Sequence, residues 1–504
     1  MKFYLSTPLY YTNAPLHIGH AYTTILSDAL ARFKRMQGSE VFFLTGTDEH
    51  GLKVWRAAEA AGKPPKQFVD ELIPGIKALW AKLGISYDHF IRTTDSYHEK
   101  QVQQVLQRLY DEGDIYKGVY EGWYCLPCES FFTDTQLVDG KCPDCGRPVS
   151  RQREESYFFK MSKYREPLLK HFHENPGFVE PSFRTPEVIN FFKDELKDLS
   201  ISRASLKWGI PLPFDESHVT YVWFDALFNY WTGLAFDGDI ERQKKFWPAD
   251  VHVIGKEILR FHAVYWPAML LAAGLPLPKK VFAHGWLTVD GRKMSKSLGN
   301  VVDPHKLADK YGADALRYFL LREIAVGADG DFSENALVQR LNNDLAAEYG
   351  NLLNRTLVMI ERYAGGVVPA SGVEGNPEKE LASMALKARD EFVECFEKME
   401  FHHGLEKLWV LVRAANKYAS DTEPWALAKN NDARLKTVLA HLHESLRVVT
   451  LLASPVMPFK AQEAWQQLGM PGLVAGQSIE SARWGAFAVG VKIKRGSVLF
   501  AQVK

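Results

Sequence analysis

The chain of 504 residues has no charge excess, since Lys plus Arg and Asp plus Glu both number 61. Proteins that coat nucleic acid without regard to sequence carry a strong basic excess, so the balance argues against that class. It leaves room for RNA binding through a local basic groove. Long apolar runs are also missing. The most apolar stretch, Ala263 to Pro278, is broken by Pro267, Gly274 and Pro276, and it falls short of the ~20 residues a spanning helix needs. Cysteine is sparse, with five residues, and a chain this long can bury several cores without disulfides or a metal. Internal repeats are lacking, and the one soft Gly/Pro patch, Gly365 to Pro377, reads as a loop. Met1-Lys2-Phe3-Tyr4 runs straight into strand-like sequence with no sign of a targeting peptide. These absences predict a cytoplasmic globular protein that binds neither DNA nor membrane, with a length that suggests about three domains.

The first half alternates short apolar strands with helical patterns, which predicts a parallel sheet wound with helices. Phe3 to Thr7, Val41 to Leu44 and His89 to Thr93 read as strands, and Gly19 to Met36 and Pro65 to Leu83 as helices. From about Tyr116 to Pro213 the rhythm breaks into Gly, Pro, Cys and aromatic residues. Strands are then expected at His218 to Phe224, Val251 to Ile254 and Val281 to Leu287. One nucleotide-binding domain (1–115 and 214–332) split by an inserted module (116–213) explains this order better than two unrelated domains. From Ser333 the pattern is helical, and Leu435, Val438, Leu439, Leu442, Leu446 and Val449 fall on one helix face. The expected class is therefore α/β, a split Rossmann-like sheet followed by an all-α bundle over 333–504.

Three strings carry chemistry. His17-Ile18-Gly19-His20 opens a helix after the first strand. A helix N-terminus offers unpaired N–H groups to phosphates, two imidazoles there can donate hydrogen bonds to a building negative charge, and Gly19 leaves room for a flat base. Taken alone, such a pair is more often a helix cap. Lys293-Met294-Ser295-Lys296-Ser297 lies between Gly291 and Gly299, a basic loop that could close over a triphosphate. Cys125-x2-Cys128 and Cys142-x2-Cys145 have the spacing of two turns that hold one tetrahedral Zn2+ with no open position, hence a structural ion. Cys395 sits in a helical pattern as packing.

The first two strings, in this order and separation, resemble the paired signature of the class I aminoacyl-tRNA synthetases. The resemblance implies that His17, Gly19 and His20 bind ATP and that Lys293 and Lys296 stabilise the pyrophosphate leaving group. The relatives for isoleucine, leucine and valine carry larger insertions with an editing domain. Here about a hundred residues with paired cysteine turns separate the halves, which is similar to the methionine branch. On that resemblance Leu9, Tyr11, Asp48, Trp223, Ala226, Tyr230, Ile258 and His262 form the methionine site, with Asp48 facing the α-ammonium group. Glu257 stands where the family commonly has Asp, and Leu227 where some relatives have proline. Asn351, Arg355 and Trp425 match positions that read a CAU anticodon by edge hydrogen bonds and stacking. The implied substrates are L-methionine, Mg2+-bound ATP and tRNA(Met), and a monomer is the default. Two rival readings stay open on the residues alone: a nucleotidyltransferase relative that charges no tRNA, and a zinc-bearing RNA-binding module.

Overall fold

The computed structural model describes residues 1–127, 130–132, 134–143, 145–193, 196–289, 291–294 and 299–503. Seven strands form the central sheet: β1 (Lys2–Ser6), β2 (Tyr10–Tyr11), β3 (Glu40–Asp48), β4 (His89–Arg92), β5 (Val179–Glu180), β6 (Val251–Gly255) and β7 (Val281–His284). Their order is β4–β3–β1–β6–β7–β5, and β2 continues alongside the end of β3. Every pairing is parallel, with Leu5 of β1 opposite Phe43 on one side and Val251 on the other. All five residues of β6 and all four of β7 are buried, as expected of strands covered on both faces. From β1 the chain first winds outward to β3 and β4, and later returns to β6 on the opposite side. That reversal is a topological switch point, where open α/β sheets bind their ligands beyond the strand ends.

Helix α1 (Ile18–Met36) covers the sheet from this point, with fourteen buried residues. Between the two halves lies an antiparallel module. Its long hairpin pairs Ile115–Cys125 with Ser150–Phe159, and Ser130–Phe132 and Leu199–Ser200 flank it. A second antiparallel sheet joins Ser202–Arg203, Pro211–Leu212 and Asp215–Thr220.

Two expected strands come out differently. The run from His218 to Phe224 is not one strand of the parallel sheet: its strand stops at Thr220, and Val222–Leu227 is a helix. A short apolar, aromatic run reads the same by periodicity whether it is a buried strand or a buried helical turn. The run from Val281 to Leu287 also divides. β7 ends at His284, and Leu287–Val289 pairs instead with Arg292–Lys293 and Gly330–Phe332. The break falls at Gly285, where a Cβ would lie 2.0 Å from the Ala328 carbonyl oxygen, so only glycine permits that approach.

Beyond Ser333 the chain is helical. The segment Arg434–Ala453 is buried at every residue from Thr437 to Ala453, so the apolar stripe read from the sequence is one face of a helix surrounded on all sides. Arg317, fully buried, joins the two parts. Its guanidinium donates to Asp28 Oδ2 of α1 at 2.6 Å, to the Leu83 carbonyl at 3.0 Å and to the Val456 carbonyl of the helical part at 2.7 Å. No helix among the described residues is long and apolar enough to cross a membrane.

Candidate active site

The ends of β1, β3, β6 and β7 open into one cleft of about 870 Å³. Leu9, Tyr11, Asp48, Trp223, Ala226, Tyr230, Ile258 and His262 all line it, as do His17, Gly19, His20, Glu257 and Met294. The residues assigned to methionine and those assigned to ATP therefore converge from segments more than two hundred positions apart.

His17 is the N-cap of α1, in an extended conformation with φ −116° and ψ 176°. Its Nδ1 accepts the Gly19 N–H at 3.1 Å, and its own backbone N–H donates to His20 Nδ1 at 3.0 Å. This is a capping box built from two imidazoles in place of hydroxyl and carboxylate. It also fixes the tautomers: with Nδ1 accepting on both rings, each proton sits on Nε2. Burial lowers the His17 ring to about 4, against a weaker upward pull from Glu257. Burial, then the neighbouring His17, pushes His20 well below the ordinary range. Near neutral pH both rings are uncharged Nε2–H donors. Met294 packs onto this corner: a Cβ on Gly19 would meet its Cε at 3.5 Å and His17 Cε1 at 2.9 Å. Lys293 belongs to the two-residue strand Arg292–Lys293, and Lys296 lies outside the described residues.

The opposite wall is aromatic. Trp223 stacks on Phe261 with centroids 3.9 Å apart and planes at 11°. His262 Nδ1–H donates to the Ile258 carbonyl at 2.9 Å, so its Nε2 accepts from the Tyr230 hydroxyl at 2.7 Å. Burial holds the His262 ring at about 4, which keeps that acceptor free of a proton. Asp48, 3% exposed at the end of β3, supplies a carboxylate, and Lys53 sits 4.6 Å from the Tyr11 ring centroid. Glu257 accepts a hydrogen bond from Trp286 Nε1 at 2.9 Å.

Several cleft residues gave no signal in the sequence. Tyr22 and Asn229 line it, and with Trp223 they place a hydroxyl, a side-chain oxygen and an indole nitrogen in buried positions that have no protein partner among the described residues. Unsatisfied buried polar atoms are costly, and a polar ligand in the cleft would satisfy them. His284, at the end of β7, also lines the cleft; its Nε2 pairs with Thr23 Oγ1 at 2.8 Å. Its position after an apolar strand is the one sequence feature that could have marked it.

In the inserted module the thiols of Cys125, Cys142 and Cys145 lie within 4.8 Å of one another; Cys128 lies outside the described residues. Cys125 and Cys145 sulfurs are 3.5 Å apart, far beyond a disulfide bond length of about 2.05 Å and near the roughly 3.8 Å between thiolates on one tetrahedral zinc. The donor set fits that ion. Cys145, Pro127 and Pro143 also line the cleft, so the module forms part of its wall. Cys395, on the helix Asn376–Glu397, lies outside it. Outside the cleft lining, Arg355 of Asn351–Ala364 lies 6.0 Å from the ring of Trp425, which is 44% exposed. Asn351 is exposed one turn before Arg355.

A split parallel sheet, two imidazoles at the helix after β1 and a basic hairpin after the last strand define a class I aminoacyl-tRNA synthetase. The family model of class I tRNA synthetases (M) matches residues 3–153 and 146–357, and that of the anticodon binding domain of methionyl tRNA ligase matches 368–504. The chain belongs to the methionyl-tRNA synthetase family. It is 54% identical to the methionine–tRNA ligase of Caldanaerobacter subterraneus subsp. tengcongensis over 99% of its own length and 79% of the relative's. Against the Thermotoga maritima enzyme the identity is 48%, over 100% of this chain and 80% of the relative. Among solved structures, Mycobacterium tuberculosis methionyl-tRNA synthetase in complex with methionyl-adenylate superposes with a TM-score of 0.95 at 43% identity, covering 99% of each chain. The free-state structure of that protein gives 0.87 at 40% identity, covering 100% of this chain and 98% of that one.

Proposed function

We propose that the cleft activates L-methionine with ATP and hands the methionyl group to the 3′ adenosine of tRNA(Met). The observation that carries this reading is the meeting, at one switch point, of an anion-binding helix N-terminus, a buried carboxylate and an aromatic thioether wall. Asp48 pairs with the substrate ammonium, and Leu9, Tyr11, Trp223, Ala226, Tyr230, Ile258 and His262 enclose its side chain, a polarisable thioether suited to aromatic contact. The methionine carboxylate attacks the α-phosphorus of Mg2+-bound ATP in line. The α-phosphate to pyrophosphate bond breaks, leaving methionyl-adenylate. No covalent enzyme intermediate is needed, and the protein contributes position and electrostatics.

The neutral Nε2–H groups of His17 and His20 donate to phosphate oxygens at the α1 N-terminus, where the helix dipole also favours negative charge. Gly19 admits the adenine, and Glu257, in the cleft lining, takes part in holding the nucleotide. Lys293 and Lys296 neutralise charge on the departing pyrophosphate. The terminal adenosine then attacks the adenylate through its 2′-hydroxyl and releases AMP. Asn351, Arg355 and Trp425 take the anticodon, with Trp425 as the stacking platform. A zinc ion on Cys125, Cys128, Cys142 and Cys145 would stabilise the inserted module. We assign the reaction to a cytoplasmic monomer.

Amino-acid-dependent ATP–pyrophosphate exchange across the twenty standard amino acids tests the reading. Strong preference for methionine is the expected outcome, and exchange driven by another amino acid would overturn the pocket assignment. Lys296→Ala is expected to lower the exchange kcat by about 10²-fold while leaving the methionine KM within a few-fold; equal losses in both would contradict its role.

A further inference from the structure

Asp225 has no role in the reaction as assigned, yet it sits between Trp223 and Ala226 in sequence and is fully buried. Its two oxygens are divided between two imidazoles. His50 Nδ1–H donates to Oδ2 at 2.7 Å, and His98 Nε2–H to Oδ1 at 2.7 Å. His98 Nδ1 accepts from the Thr232 hydroxyl at 2.7 Å. His50 is 3% exposed and His98 and Thr232 are 0% exposed. A further brace holds His50 from the side. Its ring lies 5.2 Å from that of Trp208, whose Nε1 donates to the Glu49 carbonyl at 2.6 Å.

The partners come from opposite sides of the inserted module. His50 follows Asp48 by two residues, just beyond the end of β3, and His98 is on the helix Ser96–Asp111. Asp225 and Thr232 belong to the short helices Val222–Leu227 and Asn229–Thr232. A six-residue helix has little stability of its own and takes its position from tertiary contacts. Burying a charge is costly, and apolar side chains of similar volume often serve stability as well or better. A directional bridge at this place therefore calls for a positional reason. The bridge links the residues that follow the ammonium-binding carboxylate, at the end of β3, to the helix that carries Trp223 and Ala226 of the thioether wall. Burial opposes protonation of His50, but Asp225, Glu99 and Glu49 together raise its ring above the usual range and tighten the link.

We propose that Asp225, held between His50 and His98, is a positioning residue that fixes the distance from Asp48 to the Trp223–Ala226 wall and so sets the side-chain length the pocket accepts. The inference rests on the methionine-site reading. Wild-type exchange with methionine checks that reading by itself, so failure of one is distinguishable from failure of the other.

The test is pyrophosphate exchange with methionine, with ethionine (one methylene longer) and with S-methylcysteine (one shorter), in wild type, Asp225→Asn and Thr232→Val. An apolar pocket separates ligands differing by one methylene by roughly 10–200-fold. Asp225→Asn keeps the volume but puts an amide N–H against one of the two imidazole N–H groups. It is expected to raise the methionine KM and cut the preference for methionine over both homologues, each by about tenfold, with the ATP KM within about twofold. Thr232→Val, at the far end of the bridge, should shift the preference the same way by a smaller factor, and it carries the test if Asp225→Asn lacks a cooperative melt. A uniform fall in kcat for all three amino acids with preferences intact, or no change in either variant, would reduce Asp225 to a packing group and overturn the proposal.

Discussion

At the scale of single residues, burial keeps the imidazole rings of the cleft neutral. His17 and His262 are both held at about 4 by burial, below their ordinary 6.5. Between those values the unfolded chain takes up protons that the folded chain refuses. Stability is then flat above about pH 7 and falls as pH drops from about 6.5 toward 4, by on the order of 2 kcal/mol per ring between pH 7 and 5. Urea unfolding at the two pH values should show this, and His262→Gln should remove one ring's share of the difference. The same residues mark how far a sequence can be read. His17 and His20 are visible because they lie three positions apart at one helix start, a local pattern. His252 carries a similarly buried ring but is tied to Ser6 Oγ at 2.8 Å and to Trp266 Nε1 at 3.3 Å, partners that no local pattern announces.

At the scale of elements, α1 joins structure and chemistry through its first turn. Gly→Ala inside a helix ordinarily stabilises by about 0.5–1 kcal/mol. At Gly19 the added Cβ would meet His17 Cε1 at 2.9 Å and Nδ1 at 3.0 Å, so the cap must open and the imidazole swing away. Gly19→Ala is expected to leave the melting temperature within a few degrees and to lower exchange at least tenfold, mainly through the ATP KM. Parallel melts and exchange kinetics would separate this from simple unfolding. Helix α1 was legible because its caps and 3.6-residue period are local. The boundary at Tyr221 was not, because a buried turn of helix and a buried strand present the same short apolar run. Only the pairing of Asp215–Thr220 with Ser202–Arg203 and Pro211–Leu212 decides where the strand ends.

At the scale of the whole molecule, the catalytic and helical parts share one continuous apolar core, from Phe33 of α1 against Phe396 to Trp465 near the chain end. Arg317 is the polar pin through it. Burial alone would raise the Asp28 carboxyl, but the guanidinium charges of Arg317 and Arg32 and hydrogen bonds from Ser86 hold it at about 2. That carboxylate stabilises the fold above pH ~4, and the contribution is lost as pH falls toward 2. Arg317→Leu strips Asp28 of one partner and orphans the Leu83, Pro455 and Val456 carbonyls, a loss of about 3–5 kcal/mol for a broken buried pair. Thermal inactivation should shift down by several degrees, and adding Asp28→Asn should recover part of the shift. The class of fold, the two signature strings, the paired cysteine spacing and the helical second part could be read along the chain, because each is encoded in residues close together. Tertiary structure alone decided that Asp225 bridges His50 and His98, that Arg317 pins the two parts, and that the cysteine module walls the cleft. Those contacts join segments 127 to 289 residues apart, and such pairings arise from packing the whole chain.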